Sequence, residues 1–268
     1  MGINNSMFKS SRLQVLSLIT LFGIFGLGCA SGPELDHYPR REIDRPYTLP
    51  KGVASWHIPM TYSHDSDDSG ISNTVYPIPV PLVWETSLSD DWNLTWYLLP
   101  LKLSHQFWNS ENSRLGAAFT VGFSSSSITG FRLSPTFELS YRQKLTKEIA
   151  LDLTPYYTPH VPFQMGQPYR WSTGLVMGPL IQFSDVFAME PNASFNANRG
   201  SPSYTANSSP YTDFSLQDET SYSAGCGIFA IWSAGRQWDI RPHFSYYGFG
   251  SKTGYRGETA RLDFVHFW

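Results

Sequence analysis

His243 and Ser245 stand two residues apart in a stretch that alternates apolar and polar residues, so an imidazole and a hydroxyl share one face of a strand. Glu258 follows on the next such stretch. A serine beside a base that a carboxylate orients is a nucleophile–base–orienter set, the arrangement of acyl-transfer chemistry. The alternation, however, groups His243 and Ser245 with Asp239 and Arg241 on the polar face, while Glu258 falls with Leu262 on the other. The expectation is therefore no catalytic residue, with His243, Ser245 and Glu258 as the alternative. A second constellation is Asp65, Asp67 and Ser69 ahead of Gly70, with oxygen ligands at alternate positions and a glycine for the turn, as in a calcium-binding loop. Its twelfth position is Tyr76, not the bidentate acid such a loop requires, so an acidic solvent loop without metal is expected. Cys226 lacks a base near it in sequence and reads as a small apolar residue. No phosphate loop, cysteine-based metal spacing or nucleotide fingerprint appears, and no cofactor is expected.

The elements that must carry these groups are strands. From Phe131 to Tyr141 every second residue is apolar, and after a polar turn, Arg142 to Glu148, the alternation resumes from Ile149 to Tyr157. Strict period two marks strands with one oily and one wet face, and the pair reads as a hairpin. Each strand has about ten residues or more, the length a tilted strand needs to cross a bilayer. Further alternating sets run Tyr76–Trp84, Trp92–Leu98 (continuing to Leu103 past a register break near Pro100), Leu115–Phe123, Trp171–Phe183, Phe187–Ala197, Tyr222–Trp232, Trp238–Tyr246 and Leu262–Trp268. Val53–Tyr62 adds at most a short strand. The fold predicted is all-β, an antiparallel transmembrane β-barrel of about ten strands, with eight or twelve also open. Connections alternate short and long from Arg142 onward, but with ten strands parity puts the tight Ser89–Asp91 turn on the long-loop end. Pro135, Pro155, Pro179, Pro191 and Pro242 all sit inside strands on the oily face, where proline removes a ladder hydrogen bond.

Composition agrees. Aromatics make 16% of the 268 residues and charged residues only 15%, against about 25% charged in soluble domains. A net charge of −3 offers nothing to a nucleic acid, and none is expected as a partner. Residues 1–28 form a basic head, an apolar run and a small-residue end, a secretory signal peptide. Residues 29–51, Pro-rich and charged, read as a periplasmic tether, and 52–268 as the barrel.

These features together resemble Gram-negative outer-membrane β-barrel proteins. Gly26-Leu27-Gly28-Cys29 resembles a bacterial lipobox, although Gly26 stands where leucine is usual; the resemblance implies lipidation at Cys29 and lipoprotein-processing enzymes as partners. Leu262, Phe264 and the terminal Trp268 resemble the signal read by the barrel assembly machinery, with His266 departing from it. His243-x-Ser245 with an acid resembles outer-membrane lipid A deacylases, except that there the site meets lipid. The location implied is the bacterial outer membrane, with outer-membrane lipids as partners. The wet faces carry Arg132, Glu138, Arg142, Asp152, Glu190, Asp239, Arg241, His243, Arg261 and Asp263. Such charges either pair across and fill a lumen or line water in a channel. The expected role is a structural, surface-exposed or narrow-pore barrel, with a lipid hydrolase and a charged-lumen solute or ion channel as alternatives. The oligomeric state is left open.

Overall fold

The structure, a computed structural model, describes residues 35, 37–66, 72–79, 83–96, 101–126, 130–162, 170–199, 220–235, 237–249 and 256–268. A short 3-10 helix, Glu42–Asp44, precedes thirteen strands: β1 (Ala54–Ser66), β2 (Ser72–Pro79), β3 (Val83–Ser89), β4 (Trp92–Trp96), β5 (Leu101–Asn109), β6 (Ser113–Ser126), β7 (Gly130–Lys144), β8 (Ile149–Pro162), β9 (Arg170–Ser184), β10 (Phe187–Arg199), β11 (Thr220–Ala234), β12 (Trp238–Phe249) and β13 (Arg256–Phe267). Every neighbouring pair is antiparallel, and β13 pairs back onto β1 from Ser55↔Phe267 to Ser66↔Arg256, which closes the sheet. β2 and β3 share the other edge of β1, β2 along Met60–Ser66 and β3 along Ala54–His57, so they are halves of one stave. The barrel therefore has twelve staves.

Twelve corrects the expectation of about ten, for two physical reasons. Trp92–Leu103 is not one strand with a register break: β4 and β5 pair antiparallel, from Trp92↔His105 to Trp96↔Leu101, so the chain reverses between them. Val53–Tyr62 is not a minor strand but the core of the full-length closing stave β1. With twelve staves the tight turn at Asp90 joins the other short turns, at 110–112, 145–148, 185–186 and 235–237, on one end. In outer-membrane barrels short turns mark the periplasmic end.

The alternation sorts as a membrane wall requires. Along β3 the pattern runs from buried Val83 through exposed Trp84, half-buried Glu85 and exposed Thr86. Trp84, Trp92, Trp108, Trp232 and Trp238 are exposed outward near the short-turn end, the position of an interfacial aromatic girdle. The in-strand prolines interrupt pairing without shifting register. Between β9 and β10 the ladder lapses from Met189↔Ile181 to Ala193↔Met177, the interval holding Pro179 and Pro191. It lapses between β11 and β12 from Phe229↔His243 to Trp232↔Ile240, around Pro242. On its other edge each strand stays paired, as Pro191↔Ile228 and Pro242↔Leu262 show. A proline lacks one donor, so it costs the bond on one edge only. Within the β9–β10 interval Gly178 leaves no room for a side chain: a Cβ there would collide with the Pro191 carbonyl and lie 3.0 Å from Asn192 Cα. Gly178→Val is expected to abolish barrel assembly, read as loss of the heat-modifiable folded band on gels. A folded band of normal yield would disprove this steric account.

Candidate functional site

The lumen at the short-turn end is occupied. Tyr38 to Val53 crosses that mouth and touches the wall nearly all the way around it. Its apolar residues meet two patches on the inner face. Leu35, Leu49 and Val53 pack with Val265 and Phe267 of β13, with Tyr38 against the cluster. Ile43, fully buried, packs on Ala150 of β8, Leu180 of β9 and Ala188 of β10. These wall residues break the wet-face pattern, and they do so where the segment covers them. The sequence reading of residues 29–51 as a tether leaves their destination open; the structure lays 37–51 inside the wall.

Polar contacts hold the segment between these patches. Arg45, only 5% exposed, donates through both terminal nitrogens to Asp239 of β12 and through Nη2 to Ser233 Oγ at 3.0 Å. Asp239, 1% exposed, also accepts from Ser233 Oγ at 2.8 Å and Arg241 Nη2 at 2.8 Å. Burial alone would pull the Arg45 guanidinium down, but Glu42, 3.1 Å away, and Asp239 outweigh it and hold the group above the ordinary arginine range. The Arg45 guanidinium lies over the rings of Tyr38 and Phe267, 5.2 and 5.7 Å from their centroids, as cation–π contacts do.

On the opposite side the helix Glu42–Asp44 presents its carbonyls to wall arginines. Arg114 of β6 donates to Ile43 O at 2.7 Å and Asp44 O at 3.1 Å. Arg142 of β7 donates to Glu42 O at 2.8 Å while its other nitrogens grip Asp152 of β8, both at 2.7 Å. Lys144 Nζ lies 2.6 Å from Asp44 Oδ1. Ile43 N donates to Gln182 Oε1 at 3.1 Å, Tyr47 N to Gln106 Oε1 at 2.8 Å and Thr48 Oγ1 to Asp90 O at 2.8 Å. The helix-end groups that an isolated single turn would leave bare are thus met by the wall. The segment leaves through a turn in which Val53 N donates to Pro50 O, with Gly52 at φ 82°. That left-handed φ suits glycine at the third position of such a turn.

The other residues singled out from sequence fall as follows. Glu138 pairs with Lys102 of β5 at 2.7 Å, and Arg261 with Asp263 at 2.7 Å. Glu190 is half-buried on β10 opposite Phe229. Arg132 sits in β7 opposite Pro162, and its side chain lies outside those described. His243 is opposite Arg261 and packs edge-on to Phe229, ring centroids 6.2 Å apart. Ser245 is opposite Thr259 and Gly227, whereas Glu258 is opposite Tyr246 and His64, one residue out of phase with Ser245. Facing strand residues share a face, so the register separates Glu258 from His243 and Ser245 across the wall. Ser245→Ala is expected to leave lipid A acylation as it is with the wild-type chain, checked by mass spectrometry of extracted lipid; a difference would revive the hydrolytic set.

Leu262 and Phe264 pair with Met60 and Ile58 of the closing stave. Trp268 meets Trp84 edge-on at 5.4 Å. His266 is buried among Trp56, Trp238 and Trp268, centroids 5.5, 4.5 and 6.0 Å away. Cys226 is exposed, opposite Ala193 and Tyr246. Asp65 lies in β1 with its side chain outside those described; Cys29, Asp67 and Ser69 lie outside the described residues. Among the described residues no group of three His, Cys, Asp or Glu side chains is placed to hold a metal ion.

Sequence reasoning missed Arg45, Glu42, Asp44, Arg114, Lys144, Gln182 and Ser233. Their signal was the apolar Ala150, Leu180, Ile231, Val265 and Phe267 on faces otherwise wet, all near short turns.

A closed antiparallel wall, oily outside and polar within, leaves no edge to lipid and is the build of a transmembrane barrel. The chain is a bacterial outer-membrane β-barrel. No protein-family model and no curated protein matches it. Among solved structures it is similar to the COG4313 outer membrane channel from Pseudomonas putida F1, with a TM-score of 0.48 and 11% identity over 82% of this chain and 97% of that one. It is also similar to the NanC porin, with a TM-score of 0.47 and 10% identity over 79% and 99%, and to the KdgM porin, with 0.42 and 10% over 78% and 98%.

Proposed function

We propose that this barrel is a narrow pore whose periplasmic mouth is shut by its own N-terminal segment, here called the plug. The observation that carries the reading is the contrast between the two levels of the lumen. At mid-height the inner face mixes short residues, Ser104, Ala118, Thr136, Thr158 and Ser194 with Gly174 and Gly225, with the longer Lys102, Glu138 and Tyr156. Eight staves are just filled by their side chains, and twelve with this many short residues among the longer ones leave room for water and solute. At the mouth the same wall is closed by residues 37–53. The contacts there are hydrogen bonds, ion pairs and two small apolar patches, which come apart without breaking the wall. Export through signal 1–28 and lipidation at Cys29 fit the same picture. Only five residues separate Cys29 from Leu35, at most about 20 Å of extended chain.

The test is planar-bilayer conductance of the full chain beside Ile43→Asp. Ile43 is fully buried in the plug, and burying a carboxylate there without a partner is strongly unfavourable. Rare openings are expected from the wild type and frequent, larger steps from Ile43→Asp. Steps no greater than lipid background from both would establish a filled, structural barrel instead.

A further inference from the structure

We infer that the periplasmic mouth is an anion-responsive gate: Arg114, Arg142 and Lys144 form a binding site for solutes bearing several carboxylate or phosphate groups, and Glu42–Asp44 of the plug is the internal occupant that such a solute displaces. This rests on the narrow-pore reading.

The counter-ions of the mouth differ with the plug in and out. When seated, Glu42 bridges Arg45 of the plug, at 3.1 Å, and Arg142 of the wall, at 3.9 Å. Asp44 bridges Arg41 of the plug, at 3.6 Å, and Lys144 of the wall, at 2.6 Å. Each plug acid therefore has a basic partner on its own segment, and the plug can leave with its charges paired. The wall divides differently. Asp239 keeps Arg241 at 2.8 Å, and Asp152 keeps Arg142 at 2.7 Å. Among the described residues, Arg114 and Lys144 have no carboxylate on the wall within ion-pair distance. Among the described residues, Arg114 bonds the Asn109 amide oxygen, at 3.0 Å, besides the two plug carbonyls.

Arg114 is buried, and the Lys144 side chain is 13% exposed. Opening takes the plug acids away from three clustered cations and leaves Arg114 facing Arg142 in register with Lys144 beside them, and that like-charge repulsion is a cost of opening that favours the seated plug. An anion that reaches them as the plug lifts removes the cost. Guanidinium forks suit carboxylate and phosphate oxygens. Arg114 lies on β6 and Lys144 on the adjacent β7, where Arg114 faces Arg142 directly in register. One solute with two or three charged groups can engage all three cations. A ligand that binds only the open state raises its population, which is gating by the solute itself.

The experiment compares opening frequency of the full chain in planar bilayers under citrate, pyrophosphate and chloride at matched ionic strength, because screening alone loosens ion pairs. Sucrose serves as the neutral control. Citrate or pyrophosphate is expected to raise opening frequency by about tenfold over chloride, a common size for coupling between sites, and sucrose not at all. A response to one oxyanion alone identifies the carboxylate or the phosphate class. Lys144→Gln is expected to cut the oxyanion response, and Lys144→Arg to restore it. Arg114→Gln tests the second cation where that variant still assembles; Lys144→Gln decides the question where it does not. If Ile43→Asp conducts but citrate, pyrophosphate and chloride act alike on the wild type, the gate is wrong and the pore stands. If Ile43→Asp does not conduct, the pore reading fails and takes the gate with it.

Discussion

Tyr47→Cys with Gly116→Cys, made in a Cys226→Ser background and oxidised, is expected to silence the channel, and reductant to restore it. Tyr47 belongs to the plug and Gly116 to β6, and an ideal Cβ on Gly116 would lie 3.5 Å from Tyr47 Cβ. That is within the Cβ separation of a disulfide, about 3.5–4.5 Å. The same Cβ would be 3.1 Å from the Tyr47 ring, which the substitution removes, and 3.1 Å from the His105 carbonyl, which must yield by a few tenths of an ångström. Cys226 is the exposed free thiol among the described residues, so replacing it prevents mispairing. Locked to the wall, the plug cannot lift whatever happens to its ion pairs. Openings should fall at least about tenfold, the scale on which a gate is distinguished from noise. The measurement is single-channel recording before and after dithiothreitol, with the disulfide verified by mass spectrometry. Equal conductance in both states would mean that the segment does not gate the pore.

Much of this was legible in the residues, and the parts that were not have identifiable causes. The staves from β6 to β13 are visible because one face meets lipid and the other does not, and a two-residue period records that asymmetry along the whole strand. The number of staves was less visible. A break in alternation, as at Pro100, marks either a bulge or a reversal, and only pairing tells them apart: β4 and β5 run antiparallel from Trp92↔His105. In β1, Pro59 and His57 dilute the pattern. The plug was hidden for a different reason. Its Pro-rich, charged composition is that of a linker, since neither state buries much apolar surface per residue. What separates them is who answers the charges, and Arg45 finds Asp239 across 194 positions of sequence. Local spacing cannot carry that information. A weaker trace was present in Ile43, a lone apolar residue among Arg40, Arg41, Glu42, Asp44 and Arg45, and in the apolar inner-face residues at the short-turn ends of β8, β9, β11 and β13.

Asp239→Ala is expected to unseat the plug while leaving it in the chain. The carboxylate joins Arg45, Arg241 and Ser233, and among the described residues it is the one wall acid in contact with Arg45. Removing one partner of a buried ion pair costs about 3–5 kcal/mol when the other stays buried. Arg241 is fixed in β12 and must stay. Arg45 retains Glu42 and can carry its charge to water, so the cost is relieved by opening. A shift of about 3 kcal/mol changes the closed-to-open ratio about a hundredfold. Opening frequency should rise by that order. Trypsin, added from the periplasmic side of proteoliposomes, should cut after Arg41 faster than in the wild type, where Arg41 is held against the Lys147 carbonyl. Asp239→Asn keeps hydrogen-bond acceptance from Arg45 but loses the charge, and its effect should be intermediate. Arg45→Met leaves Asp239 with Arg241 and Ser233, so it should open the pore without weakening the wall. Heat-modifiability separates the two: Asp239→Ala lowers the temperature at which the folded band is lost, and Arg45→Met does not. An Asp239→Ala barrel that conducts rarely and resists trypsin as the wild type does would show that this cluster is not the latch.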